Sequence, residues 1–444
     1  MSKPLSPGLE TSATADTVPL PTVPAPRHTG FRAVLRNRAF LAIWSAQMAS
    51  QTAQNSLWYA LIIMVGELTG KKPAGIGATI ILVQIPTVLF SSLSGVLVDR
   101  VPKRTILVGT NIIRVAGVLL YALFQRDVLG LYLVTFAVAV VSQPFAPAEG
   151  STIPLIVEES ELITANSLFQ MTFMTSQAAG FALAPIAIGF FGIRTTLIVL
   201  AALFAFSALV LLPLPAAARQ RVPREHDNLN QAARRVWNDL AEVVRFIAHD
   251  HPLAIALFQI ALAPTLLLVL AEVGPDFLSN TLGIGQTSTA LFFLLAPAGG
   301  GLALGMVILG QWGHRLRKDR LVLVSLIALG VTVIGLASVP TIALLWHGLV
   351  PKGVELTATM VPIAAFMGIE VAFINAPVQT IVQQRATPEL RGRVLALQQT
   401  LTAAMAIPPL ILVGGVAAVF GTPATLSLMG VIIISIGLGI VYYT

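Results

Sequence analysis

Long apolar blocks alternate with short polar ones along the chain. The blocks fall at about 39–66, 73–98, 105–125, 128–150, 166–190, 193–213, 252–280, 286–312, 321–346, 358–383, 394–420 and 423–443. Each holds roughly 20 or more mostly apolar residues, the length an α-helix needs to cross about 30 Å of hydrocarbon. They are too long and too evenly apolar for barrel strands, which alternate over about ten residues. Backbone groups facing lipid must find partners in their own segment, so the pattern predicts twelve transmembrane helices.

The polar breaks repeat. Gly95-Val96-Leu97-Val98-Asp99-Arg100-Val101-Pro102-Lys103-Arg104 separates the second and third blocks, and similar punctuation returns at Gly310 to Arg320, about 215 residues later. Ala146-Pro147 with Glu161-Leu162 is echoed by Ala376-Pro377 with Glu389-Leu390, offset by about 230. The longest polar stretch, Ala216 to Asp250, divides the blocks six and six. The fold class expected is therefore all-α integral membrane, with two pseudo-symmetric six-helix bundles at 31–215 and 251–444. Residues 1–30, rich in Pro, Ser and Thr, read as a disordered cytoplasmic tail without a signal-type apolar core. The linker at 216–250 carries Val236, Leu240, Val243, Val244 and Ile247 at helical spacing, which predicts an amphipathic helix lying on the membrane.

Composition agrees and charge adds an orientation. Hydrophobic residues make up 56% of the chain and charged ones 11%, against about 25% charged in soluble domains. The net charge of +7 invites a nucleic-acid reading, but 21 of the 27 Lys and Arg residues fall before span 1 and in the loops 2–3, 6–7, 8–9 and 10–11. Loops of one side collect them, which places both termini in the cytoplasm and leaves no nucleic-acid role. The chain has no Cys, and its six His form no i,i+4 pair. Disulfides, thiolate chemistry and metal sites are therefore not expected, and without a Walker-type glycine loop neither is ATP coupling. No cofactor and no enzymatic centre is expected.

Placing a charge at the bilayer centre costs about 2.5–3.5 kcal/mol on insertion scales, so each charge inside a span is a functional candidate. Arg114 falls near the middle of span 3 and Glu370 near the middle of span 10. They lie in opposite halves and are expected at a shared central cavity; the alternative is local pairing with a neighbouring helix. Glu370 is the candidate proton carrier, because a carboxyl group kept from water disfavours its charged form. Glu272 and Asp276 are i,i+4 in span 7 and flank Gly274-Pro275, where the proline should break the helix. They read as an outer-gate or cation-attracting pair and join Glu370 as proton-coupling candidates, the alternative being two solvated interfacial acids. Gln47, Gln51 and Asn55 form an amide stripe in span 1 that belongs against protein or water, and Asn375 in span 10 and Gln177 in span 5 are weaker cases. Gln47, Gln51, Asn55, Arg114 and Asn375 are thus the candidate substrate contacts.

Residues Gly95 to Arg104 resemble the loop 2–3 signature of the major facilitator superfamily, Gly-x-Leu-x-Asp-Arg-x-Gly-Arg/Lys-Arg/Lys. Gly95, Leu97, Asp99, Arg100, Lys103 and Arg104 match, and Pro102 stands where Gly is usual. Arg36-Asn37-Arg38-Ala39-Phe40, Phe145-Ala146-Pro147-Ala148, Ala165-Asn166-Ser167-Leu168 and Pro388 to Val394 are similar to the drug–proton antiporter branch that includes macrolide-efflux proteins and the enterobactin exporter. Span 4 lacks the Arg of the antiporter signature. The resemblance implies alternating access, a gating role for Gly95, Asp99, Arg100, Lys103 and Arg104, and proton-coupled efflux of an amphipathic small molecule. It further implies a monomer among membrane lipid in the inner membrane of a cell. Uptake or exchange of a metabolite, or a receptor or scaffold role, are the alternatives.

Overall fold

The computed structural model describes residues 31–158, 161–214, 245, 250–283, 292–312, 317–346, 355–385 and 391–443, all helices and their connections with no strand among them. The tail and nearly all of the linker at 216–250, with its expected amphipathic helix, lie outside the described residues. In the first half, α1 (Phe31–Arg36) leads into α2 (Arg38–Leu68), α3 (Pro73–Arg100), α4 (Lys103–Leu123), α5 (Val128–Ser142), α6 (Phe145–Ile156) and α7 (Leu162–Leu211). The second half contains α8 (His251–Asp276), α9 (Phe292–Trp312), α10 (Lys318–Ala337), α11 (Val339–Ala343), α12 (Glu355–Arg385), α13 (Arg391–Phe420) and α14 (Thr422–Tyr443). Nine segments among the described residues are long and apolar enough to cross a membrane. Span 1 falls below that hydropathy because its amides dilute it.

Local chemistry sets where these helices start and bend. Asn37 accepts from the amides of Ala39 (3.0 Å) and Phe40 (3.3 Å), capping α2, and Asp127 does the same for α5 through Leu129 and Gly130. Such side-chain acceptors satisfy donors that the first turn leaves free. Span 4 is α5 plus α6, offset at Gln143-Pro144, because proline has no N–H to continue the ladder. Spans 5 and 6 follow each other without a loop: α7 turns at Gly192, whose φ of 76° is open to glycine. Span 9 stops at Ala337 rather than at 346, where Ser338 and Pro340 start a separate short helix.

The described helices pack mainly within their own half, with α2 along α7 in the first and α9 and α10 along α12 in the second. The halves meet where α3 lies along α13, with smaller contacts of α7 on α9 and of α3 on α8. One register spans that seam. Gly77 and Gly414 both approach the side chain of Glu272, and fourteen residues on along α3 and fourteen back along the antiparallel α13, Ser91 Oγ and Thr400 Oγ1 share a hydrogen bond of 2.8 Å. At about 1.5 Å per residue the two contacts are about 21 Å apart. An apolar cluster crosses the seam, joining Tyr59, Ile76 and Ile80 to Val273, Leu410 and Val413.

Candidate functional site

Arg114 is buried inside the first half, between two apolar clusters. Its Nε donates to Ser142 Oγ at 3.0 Å and its Nη1 to Ser50 Oγ at 2.9 Å. Ser50 in turn donates to Asn111 Oδ1, whose amide is anchored on the Leu107 carbonyl. The guanidinium lies over the ring of Phe145 at 4.5 Å and near that of Phe204 at 5.6 Å. Glu149, itself buried on α6, supplies the opposing charge. A buried cation is tolerable when it is hydrogen-bonded and near an opposing acid, and this one is hydrogen-bonded with Glu149 close enough to act on it.

The amide stripe of α2 turns toward α7. Gln47 Nε2 donates to the Phe169 carbonyl at 3.4 Å, while its Oε1 is buried without a partner. Asn55 donates back to the Gln51 carbonyl, and its Cβ lies against Gly180, whose carbonyl accepts from Ser56. Gly180 is small enough for the two backbones to touch. Gln51 and Asn55 are half-buried. The side chain of Gln177 lies outside the described residues.

Glu370 is 3% exposed on α12. Its Oε1 accepts from Thr332 Oγ1 at 2.9 Å, on α10, and its Oε2 is buried without a hydrogen bond. The hydrogen bonds of Arg114 thus stay in the first half and that of Glu370 in the second. Asn375, one and a half turns further along α12, is half-buried with an unpartnered Oδ1.

Glu272 and Asp276 share a helix but not an environment. Glu272 is fully buried, and among the described residues neither carboxyl oxygen has a hydrogen-bond partner. Its carboxyl group lies against Gly77 of α3 and Gly414 of α13. Asp276 is half-buried and occupied: Oδ1 accepts from Asn280 at 2.7 Å and Oδ2 from Thr422 at the start of α14. The helix break expected at Gly274-Pro275 does not occur. Helix α8 runs through Pro275 to Asp276 and then widens into a π-turn over Phe277–Thr281. A wider turn takes up the misfit that a proline ring introduces without ending the segment.

The loop 2–3 signature is a two-residue link, Val101-Pro102, between α3 and α4. Arg100 is exposed, Arg104 half-buried, and Lys103 Nζ donates to the Ser151 carbonyl on α6 at 3.0 Å. Gly95 has open space around it, and the side chain of Asp99 lies outside the described residues. Among the described residues no cluster of His, Cys, Asp or Glu is placed to hold a metal ion.

Glu149 is the polar residue that sequence reading missed. It stands two residues beyond Pro147 and one residue inside the end set for span 4 at about 150, where a charge at a span end draws no notice. The structure continues that segment to Ile156 and so carries Glu149 into the interior. The Pro144 and Pro147 pair was the available signal, since a proline within a membrane span can offset the helix without ending it.

The sequence profile described as Major Facilitator Superfamily matches residues 43–409. Macrolide efflux protein A of Streptococcus pyogenes is 23% identical over 375 residues, 81% of this chain and 84% of that protein. The MFS-type transporter YkuC of Bacillus subtilis is 24% identical over 237 residues, 51% of this chain and 53% of its own. Among solved structures, the nucleoside transporter NupG superposes with a TM-score of 0.67 at 15% identity, covering 90% of this chain and 98% of that one. A POT family transporter in complex with 5-aminolevulinic acid gives 0.68 at 14%, covering 92% and 96%. At such identities the structures speak for the fold alone.

Proposed function

Starting from a chain that belongs to the major facilitator superfamily and is a multi-pass membrane transporter, not an enzyme, we propose that it exports amphipathic small molecules in exchange for protons. The two halves rock across the α3–α13 seam and expose a midplane site to each side in turn. The observation that carries this reading is the pair of buried carboxyl groups, Glu370 and Glu272, which together have three of four oxygens without a hydrogen bond. A carboxylate left so would be an uncompensated buried charge, costly unless a proton neutralises it. A proton is thus the natural companion of these sites.

The remaining residues take roles around that exchange. Gln51, Asn55 and Asn375, half-buried amides on facing halves, contact the substrate, while Arg114 and Gln47 fix the wall behind them. Asp276 holds α8 to α14. Asp99, Arg100, Lys103 and Arg104, with Gly95, form the inner gate, and both termini lie in the cytoplasm. The likeness to macrolide efflux protein A supports the direction and the substrate class.

Cells with and without the protein, loaded with dyes and drugs of varied charge and assayed with and without a proton uncoupler, test the reading. Expected is lower accumulation in expressing cells, restored by the uncoupler. Higher accumulation would establish uptake, and no flux across a broad panel would leave a receptor or scaffold.

A further inference from the structure

Three helices from both halves converge on the Glu272 side chain. A Cβ added at Gly77 would overlap Oε1, and one at Gly414 would stand 3.0 Å from the same atom, close to Ala74 of α3 as well. The two glycines therefore form a recess shaped to a carboxyl group, filled by one that is 0% exposed and bonded to nothing described. Around it lie Ile76, Val273 and Val413 of the cluster that crosses the seam.

We propose that Glu272 is a proton-operated latch between the halves, with Gly77 and Gly414 as its positioning residues. The closed seam accommodates the neutral acid, whereas an ionised carboxylate in that recess has no compensating donor or cation. Losing the proton therefore favours separating α3 from α8 and α13, so that water reaches the charge; regaining it lets the helices close.

The surrounding titratable groups do not supply the missing countercharge. Helix α13 has no ionisable residue from Leu397 to Phe420, and α3 none from Pro73 to Val98. On α12, Glu370 is engaged with Thr332, and Glu355 begins the helix. On α2, Tyr59 is buried in the cross-seam cluster, and Glu67, near the helix's C-terminal end, is exposed and carries charge of the same sign as Glu272. Tyr132 of α5 is spent on the Gly75 carbonyl at 2.8 Å. Lys71 and Lys72 stand before α3, and Asp276 of α8 itself is tied to Thr422 and Asn280. Among the described groups no charged neighbour acts on the Glu272 carboxyl.

The inference rests on the transporter reading for its use, but the latch is testable without transport. The chain has no Cys, so Lys72→Cys with Ala424→Cys places two unique spin labels at exposed positions near the seam's end. Distance distributions in purified protein, without substrate, are recorded as pH is raised. Expected is a short-distance population that falls with rising pH, and in Glu272→Gln a short population that persists at every pH. Gly77→Val should shift labels to long distances even in the Glu272→Gln background, because its bulk fills the recess. A wild-type distribution indifferent to pH, or a Glu272→Gln protein that still titrates, overturns the latch. Titrating distances with uncoupler-insensitive efflux would retain the latch and discard the proposed proton exchange; the reverse pattern would discard the latch alone.

Discussion

Each half of the molecule buries an ionisable side chain in a contact between neighbouring spans, and the two contacts are built differently. In the first half a guanidinium sits between two hydroxyls and two aromatic rings, within electrostatic reach of Glu149. In the second half a lone threonine hydroxyl meets one oxygen of Glu370, and the other oxygen has nothing. A cation held by two hydroxyls, two rings and a nearby acid is fixed in one arrangement and resists change. A half-satisfied acid depends on whatever else arrives, and a proton is the smallest such visitor. Under the proposed function the first contact is framework and the second is machinery.

Removing the acid of the second half gives the largest expected effect. Glu370→Gln keeps the Thr332 hydrogen bond but cannot release a proton, so uncoupler-sensitive efflux should vanish while expression stays normal; undiminished efflux would take Glu370 out of the mechanism. Next comes the first half, where Arg114→Leu strands Glu149. Breaking a buried pair costs about 3–5 kcal/mol, read as a lower melting temperature in detergent. Adding Glu149→Gln should recover part of that loss, and failure to recover any would show that Arg114 is held by its serines and rings rather than by the charge.

Smaller effects sharpen the contrast. Gly180→Val pushes α7 from α2 where their backbones touch, and overpacking of this kind costs about 1–3 kcal/mol, again read as a lower melting temperature. Thr332→Val removes one interhelical hydrogen bond, a loss of about 0.6 kcal/mol, but it also leaves both oxygens of Glu370 unpartnered. Its pH profile of efflux should therefore move although its melting temperature barely does. A profile identical to wild type would reduce the Thr332 contact to packing.

Much of this was legible before any coordinates. Arg114, Glu272 and Glu370 stood out because lone charges in apolar blocks have few reasons to persist, and all three are buried. Their partners were not legible. Ser50, Ser142 and Phe204 reach Arg114 from positions 64, 28 and 90 residues away in the chain, and no local pattern marks them. Glu149 was lost to a boundary placed six residues short of the helix end. The expected helix break at Gly274-Pro275 failed because proline's local cost can be absorbed by a widened turn, which depends on neighbours rather than on the dipeptide.

What the sequence by itself determined is the class of molecule: apolar blocks of membrane length must become helices, since lipid offers their backbones no partners. It also determined which side chains are too polar to be there idly. Tertiary structure alone decided which of those charges are answered. Whether a helix carrying a glutamate meets a serine, an arginine or the bare backbone of Gly77 depends on how closely two distant helices approach, and that distance is set by small residues far apart in the chain.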